Sequence, residues 1–180
     1  MSDFLNAADI AAFTSTTTTL TDAQVAAAHN AVRQYCRWHV VPERTETITA
    51  DGDCGTEVTL PTMQITGVTE IRVDGVADAD VDWWRNGRLR RSDGFTDDPR
   101  SIEVDLTHGF DIDDAPLVVA VVAALAERIA ASSGGEDVDP NIAEEAIGSY
   151  RVRYVTHATT VTLTESEMAM LAAYRWLIDP

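Results

Sequence analysis

Lysine is missing from this chain altogether. All thirteen of its basic residues are arginine, set against thirty acidic ones, for a formal charge of −17. So acidic a chain does not make a general nucleic-acid binder, because phosphate binding needs a net positive surface. Cysteine is almost absent. Cys36 and Cys54 allow at most one disulfide, and no paired spacing for a zinc site exists. Long apolar runs are lacking too. The longest, PLVVAVVAALAERIAA (116–131), ends in charge and falls short of the ~20 residues that a membrane span requires. The start, MSDFLNAADIAAF, has no basic n-region, so no signal peptide is expected, and thiols inside a cell are expected to stay reduced. There is no Gly-Lys-Ser/Thr phosphate loop and no serine in a nucleophile elbow.

What the chain does have is enough apolar material for a real core: 180 residues, 45% hydrophobic, the size of one domain or of one domain with an insertion. Its acidity is of a particular kind. Aspartate outnumbers glutamate 19 to 11. A uniformly acidic surface keeps a protein soluble in high salt, where the Debye length shrinks to about 3 Å. It can also line a passage through which DNA slides without sticking. GC-rich coding favours arginine over lysine as well, but together with the aspartate excess the composition leans toward a salt-loving host.

Along the chain, DFLNAADIAAF reads as a short helix over 3–13, and TSTTTTL as a polar linker. Thr21 and Gln24 form a capping box that opens a second helix, with Val25, Ala28, Val32, Tyr35 or Cys36, and His39 at helical spacing and Pro42 as its stop. From 43 to 110 the period becomes two. ERTETITA alternates, DGDCG turns, and TEVTLP alternates again. ITGVTEIRVDGV places Val68, Ile71 and Val73 near a buried face and turns at Asp74-Gly75, and RSIEVDLTHGF is a further strand. At 114 helical spacing returns. Asp114 can cap and Pro116 fits the first turn, with Val118, Val121, Val122, Leu125 and Ile129 as an apolar face. SSGGEDVDPN reads as loop, and EAIGSYRVRYV as extended after Gly148. Thr164 and Glu167 make a second capping box before a last helix, ESEMAMLAAYRWLI. The expected fold class is α+β: a small helical bundle (1–42 and 112–180, the latter including a C-terminal arm) carrying a β-rich insertion (43–111).

The densest basic stretch is DVDWWRNGRLRR, with four arginines in seven positions beside two tryptophans. Asn86-Gly87 favours a two-residue type I′ turn. That register puts Trp84 opposite Leu89, Trp83 opposite Arg90, and Asp82 opposite Arg91, the last two as a cation–π pair and an ion pair. Arg85 and Arg88 are then left at the tip without partners. They serve the hairpin's own structure, meet an acidic neighbouring subunit, or touch DNA.

Chemistry is hard to find elsewhere. HGFDIDD gathers His108, Asp111, Asp113 and Asp114, but acidic residues ahead of a helix favour its positive end without any metal. DGDCGTE and DVDPN lack the glycine and the later glutamate of a calcium loop. His29 and His39 read as helix-surface or packing residues. No catalytic, cofactor-binding or metal-binding residues are expected, and no enzyme. Tyr174, Trp176, Leu177 and Ile178 place apolar bulk in the last stretch of the sequence, either folding back or anchoring another protein.

The order of five stretches resembles a known family. LPTMQITGVTEIRVDG (60–75), DWWRNGRLRR (82–91), HGFDIDDAPLVVAVVAALAERI (108–129), EAIGSYRVRY (145–154) and EMAMLAAYR (167–175) follow one another as in the head–tail connector (adaptor) proteins of long-tailed double-stranded DNA viruses. Phe110 stands where such adaptors usually have tyrosine. The resemblance implies a virion structural protein in the neck between capsid and tail, made in the host cytoplasm. It implies a homo-oligomeric ring, normally of twelve copies, under the portal protein, with a stopper or tail-completion protein on its far face. DNA would pass through the middle without sequence-specific binding. Tyr174, Arg175, Trp176, Leu177 and Ile178 would then be portal contacts, and Arg85 and Arg88 subunit or tail contacts. The composition points to a virus of a halophilic archaeon, with an actinobacterial phage as the other option. The competing class is a freestanding intracellular protein-binding regulatory module.

Overall fold

A computed structural model describes residues 5–14, 19–133, 144–147, 150–153 and 162–176. Among the described residues the fold is α+β, with four α-helices and antiparallel sheets. The most apolar helix is α3 (Pro116–Ser133), and its Val118, Val119, Val121, Val122, Ala123, Leu125 and Ala126 are all buried. A helix apolar on so much of its circumference has to be surrounded. Helices α1 (Ala7–Phe13), α2 (Asp22–Cys36) and α4 (Glu165–Leu171) all pack on it.

Side-chain caps set the helix starts. Asn6 and Asp9 form a capping box, so α1 begins at Ala7 rather than at residue 3. The Thr21–Gln24 and Thr164–Glu167 boxes both form as read. In the last, Glu167 also accepts two hydrogen bonds from Arg128, tying α4 to α3. Helix α2 stops well before Pro42. Arg37 caps it in the left-handed region (φ 67°), and the chain then runs on outside any helix or strand with Trp38, His39, Val40 and Val41 all buried. Four successive buried positions cannot share one helix face, so tertiary burial overrides the helical spacing that reached to His39. Asp114 does not cap α3. It sits in a 3₁₀ turn, Ile112–Asp114, capped by Asp111, and Pro116 is the first residue of the helix.

Between α2 and α3 lie β1 (Arg44–Ala50), β2 (Glu57–Thr59), β3 (Ile65–Val73), β4 (Val76–Ala77), β5 (Val81–Trp83), β6 (Arg88–Arg91) and β7 (Ile102–His108). One sheet has the order β1-β7-β3-β4 and the other β2-β6-β5. Alternation in β7 buries Ile102, Val104, Leu106 and His108. Irregular pairing in β3, between Ile65 and Gly67 and between Val68 and Glu70, inserts extra residues. This is how Val68 and Ile71, three apart, both reach the core between the sheets. After α3 come β8 (Glu144–Ile147) and β9 (Tyr150–Arg153), paired across Gly148-Ser149, so the extended stretch starts before Gly148 as well as after it.

The last helix is shorter than its sequence pattern. After Leu171 the chain makes a 3₁₀ turn, Ala172–Tyr174, and then extends. The Trp176 N–H donates to the Cys36 carbonyl (2.9 Å) and the Trp38 indole N–H to the Tyr174 carbonyl (2.6 Å), capturing the chain against α2. The loop reading of SSGGEDVDPN beyond Ser133, the TTTT run, and Leu177 and Ile178 fall largely or wholly outside the described residues.

Candidate interaction surfaces

The tip of the arginine hairpin is a three-residue loop, not a two-residue one. The Gly87 N–H donates to Trp84 O (3.0 Å), the Trp84 N–H donates to Arg88 O (2.9 Å), and Gly87 sits at φ +86°. That is a turn followed by a glycine bulge. The register shifts by one: Trp83 faces Leu89, Asp82 faces Arg90, and Val81 faces Arg91. None of the expected side-chain pairs forms. The cause lies outside the hairpin, since its tip is docked on the 60–65 segment. The Leu60 N–H donates to Gly87 O (2.8 Å), and the Ile65 N–H to Arg85 O (2.7 Å).

The shifted register changes what the hairpin displays. Leu89 is fully buried, while Trp83 and Trp84 keep 40% and 37% of their surface exposed. Arg88 stacks over Trp84 at 4.7 Å and lies 3.6 Å from Glu57, so it has partners in its own chain. Arg91 bridges Asp78 (2.9 Å) and the Gly94 carbonyl (2.8 Å). Arg85 and Arg90 remain exposed beside the two tryptophans. The outcome is a small aromatic and cationic face on a strongly acidic chain.

Of the C-terminal residues singled out from the sequence, Tyr174, Arg175 and Trp176 are half-buried on their own chain. Tyr174 packs edge-on against Phe110 (5.7 Å between ring centres), and Arg175 lies over the Tyr35 ring (5.5 Å). Of the two alternatives read from the sequence, these residues fold back. Cys36 is buried beneath them, and burial pushes its thiol up to about 12, against a smaller opposing pull from Arg175. Cys54 is exposed in a turn, and both thiols are free.

A third feature went unseen in the sequence. Where α2 and the 38–41 segment meet the end of the β1-β7-β3 sheet, three buried histidines cluster. The His29 and His39 ring centres lie 5.4 Å apart, and those of His39 and His108 5.7 Å apart. His29 donates to the Val41 carbonyl (2.6 Å) and His39 to the Pro42 carbonyl. The Nε2 of His108 meets Glu46 (2.8 Å), and its Nδ1 meets the Thr62 hydroxyl (3.0 Å). Burial opposes the charge on Glu46, but hydrogen bonds from His108 and Arg44 outweigh it and bring the carboxyl down to about 2. Period two alone would place Arg44, Glu46 and Ile48 on one face, and His108 on the face of Ile102, Val104 and Leu106. That signal was present; which faces meet was not. Beside the cluster opens a cleft of about 570 Å³ lined by Arg33, Arg37, Trp38, His39, Glu46 and Thr47 among others.

No family model and no curated protein matches this chain. Solved structures do. A chain from the neck of an empty GTA (gene transfer agent) particle, computed with C6 symmetry, superposes with a TM-score of 0.52 at 16% identity, covering 97% of this chain and 90% of that one. Across nearly its whole length, then, the chain shares the fold of a chain from the neck of that particle.

Proposed function

We propose that the protein is a head-to-tail adaptor, a virion structural component without catalytic activity. Copies form a ring, twelve by analogy with the family, between the portal protein and a stopper or tail-completion protein. DNA passes through the central channel without sequence-specific binding. Residues 1–42 and 112–180 serve as the helical connector core, and 43–111 as a β insertion. The observation that carries this reading is the fold shared along 97% of the chain with a particle-neck protein. The net charge of −17 is consistent with it, since a channel for DNA must not hold phosphate.

Within that reading, the 174–178 segment is the portal contact and the hairpin face is the subunit or tail contact. Tyr174 to Trp176 already hold the C-terminal segment against α2, so the anchoring is assigned to Leu177 and Ile178 in particular. Trp83, Trp84 and Arg85 supply the residue types that dominate protein interfaces. Deleting 177–180 should leave folding intact and abolish co-purification with portal-bearing heads. Arg85→Ser should spare the hairpin, whose own contacts use Arg88 and Arg91, and weaken assembly. Retention of the truncated protein on heads would remove the anchor from this segment. Unchanged assembly with Arg85→Ser would leave that residue a solvated one.

A further inference from the structure

Strand β1 pairs with β7 over seven residues in unbroken register, and among the described residues no strand pairs with its other edge. It contains no proline and no bulge, two of the devices that blunt an edge against pairing with another chain, and its charged residues, Arg44 and Glu46, pair with one another. The 570 Å³ cleft runs along this edge. Glu46, Thr47 and Ile48 all line it, and three consecutive residues, whose side chains alternate between faces, meet one cleft only when it approaches the strand edge-on. The opposite wall is the face of α2 bearing Asn30, Arg33, Gln34 and Arg37. The two arginines stand one helical turn apart. Arg33 and Arg37 make this wall cationic in a chain whose net charge is −17.

The same chain holds a strand pair in need of a neighbour. β8 and β9 form a two-stranded ladder that joins no third strand among the described residues. An isolated two-stranded hairpin is marginally stable in water. β8 begins with Glu144-Glu145.

We propose that β8 of one copy adds to the outer edge of β1 in a second copy, merging the hairpin and the four-stranded sheet across the subunit boundary. The acidic Glu144-Glu145 stretch then lies along the wall formed by Arg33 and Arg37. Main-chain hydrogen bonds supply the affinity, and charge selects the partner strand. The contact is head-to-tail, because β8 and β1 are different surfaces, and repeating it yields a closed ring when the rotation permits. This inference rests on the adaptor reading for its setting, while the strand pairing is measurable on the free protein.

The test uses full-length protein with Cys54→Ser, leaving the buried Cys36 in place. One preparation carries Thr47→Cys and a second carries Ala146→Cys. They are mixed at high concentration in 2 M salt with a short bismaleimide crosslinker, with Thr45→Cys as a second probe of the same edge. A dimer band should form only in the mixture, and a chain carrying both cysteines should give a ladder. Arg33→Glu with Arg37→Glu should lower the yield about tenfold, and adding Glu144→Arg with Glu145→Arg should restore it. A crosslink within single copies and no dimer would mean that the hairpin covers its own β1, and would overturn the proposal. No crosslink of either kind, from a protein still present in particle necks, would overturn it and spare the adaptor reading. Crosslinked copies of a protein absent from particles would do the reverse.

Discussion

Burial keeps His39 neutral. Desolvation outweighs its hydrogen bond to the Pro42 carbonyl, and Arg44, His29 and His108 around it add to the shift, so its pKa falls to about 3; His29 is lowered for the same first reason. In the unfolded chain an imidazole protonates near pH 6.5. Between there and about pH 3 the unfolded state therefore binds a proton that the folded state refuses. Stability is full above pH 6.5 and is lost as the pH falls, by up to about 1.4 kcal/mol per pH unit for one such group. Glu46 works in the same direction lower down: its contribution holds above about 4.5 and fades toward about 2. Thermal melting from pH 7 to 4 should thus show falling stability. His39→Gln, whose amide can still donate to Pro42, should flatten that fall by about one proton's worth. An unchanged slope in the variant would mean that His39 does not carry the effect.

Two glycines in left-handed turns separate what a strand pattern can announce from what it cannot. Gly75, at φ +77°, has nothing within 4 Å of a built Cβ, and its Asp-Gly turn was legible from the sequence. Gly87, at φ +86°, would place a Cβ 2.4 Å from the Thr62 carbonyl oxygen. Gly75→Ala should cost about 1 kcal/mol, the ordinary cost of positive φ. Gly87→Ala should cost about 1–3 kcal/mol and loosen the hairpin from the 60–65 segment. Equal melting temperatures for the two variants would contradict the docking of the tip. The same contrast explains how far the sequence could be read. Caps, periodicity and the Asp74-Gly75 turn act over a few residues, so Thr21, Thr164 and the alternation of β7 were visible. The hairpin register, the end of α2 at Cys36 and the break after Leu171 are set by segments distant in sequence. Trp38 and Trp176 fix the last two, and no local pattern encodes that meeting. The histidine cluster was hidden for the same reason, since His29, His39 and His108 come from three separate segments.

Over the whole molecule the arginines are spread too thin to neutralise the carboxylates. Arg72 alone serves Asp105, Glu103 and Glu70 on the sheet surface. At the sheet end remote from the histidines the turns carry exposed Asp51, Asp74, Asp97 and Asp98, where Arg100 donates its backbone N–H to Asp51 (2.7 Å). At 0.15 M salt the Debye length is about 8 Å and such groups repel; at 1 M it is about 3 Å and they largely do not. Melting temperature and self-association should both rise from 0.1 to 3 M salt, association more steeply because it adds repulsion between copies. Sucrose, which acts by exclusion without screening, should not reproduce the association. A flat response would mean that internal ion pairs already balance the surface, and would favour an ordinary GC-rich bacterial host. The adaptor role is tested most directly by a reconstruction of the purified particle combined with mass determination of its neck. This chain should appear as a closed ring between portal and tail, with DNA or an open channel on its axis. A protein absent from the particles and monomeric in solution would contradict it and leave a freestanding binding module in its place.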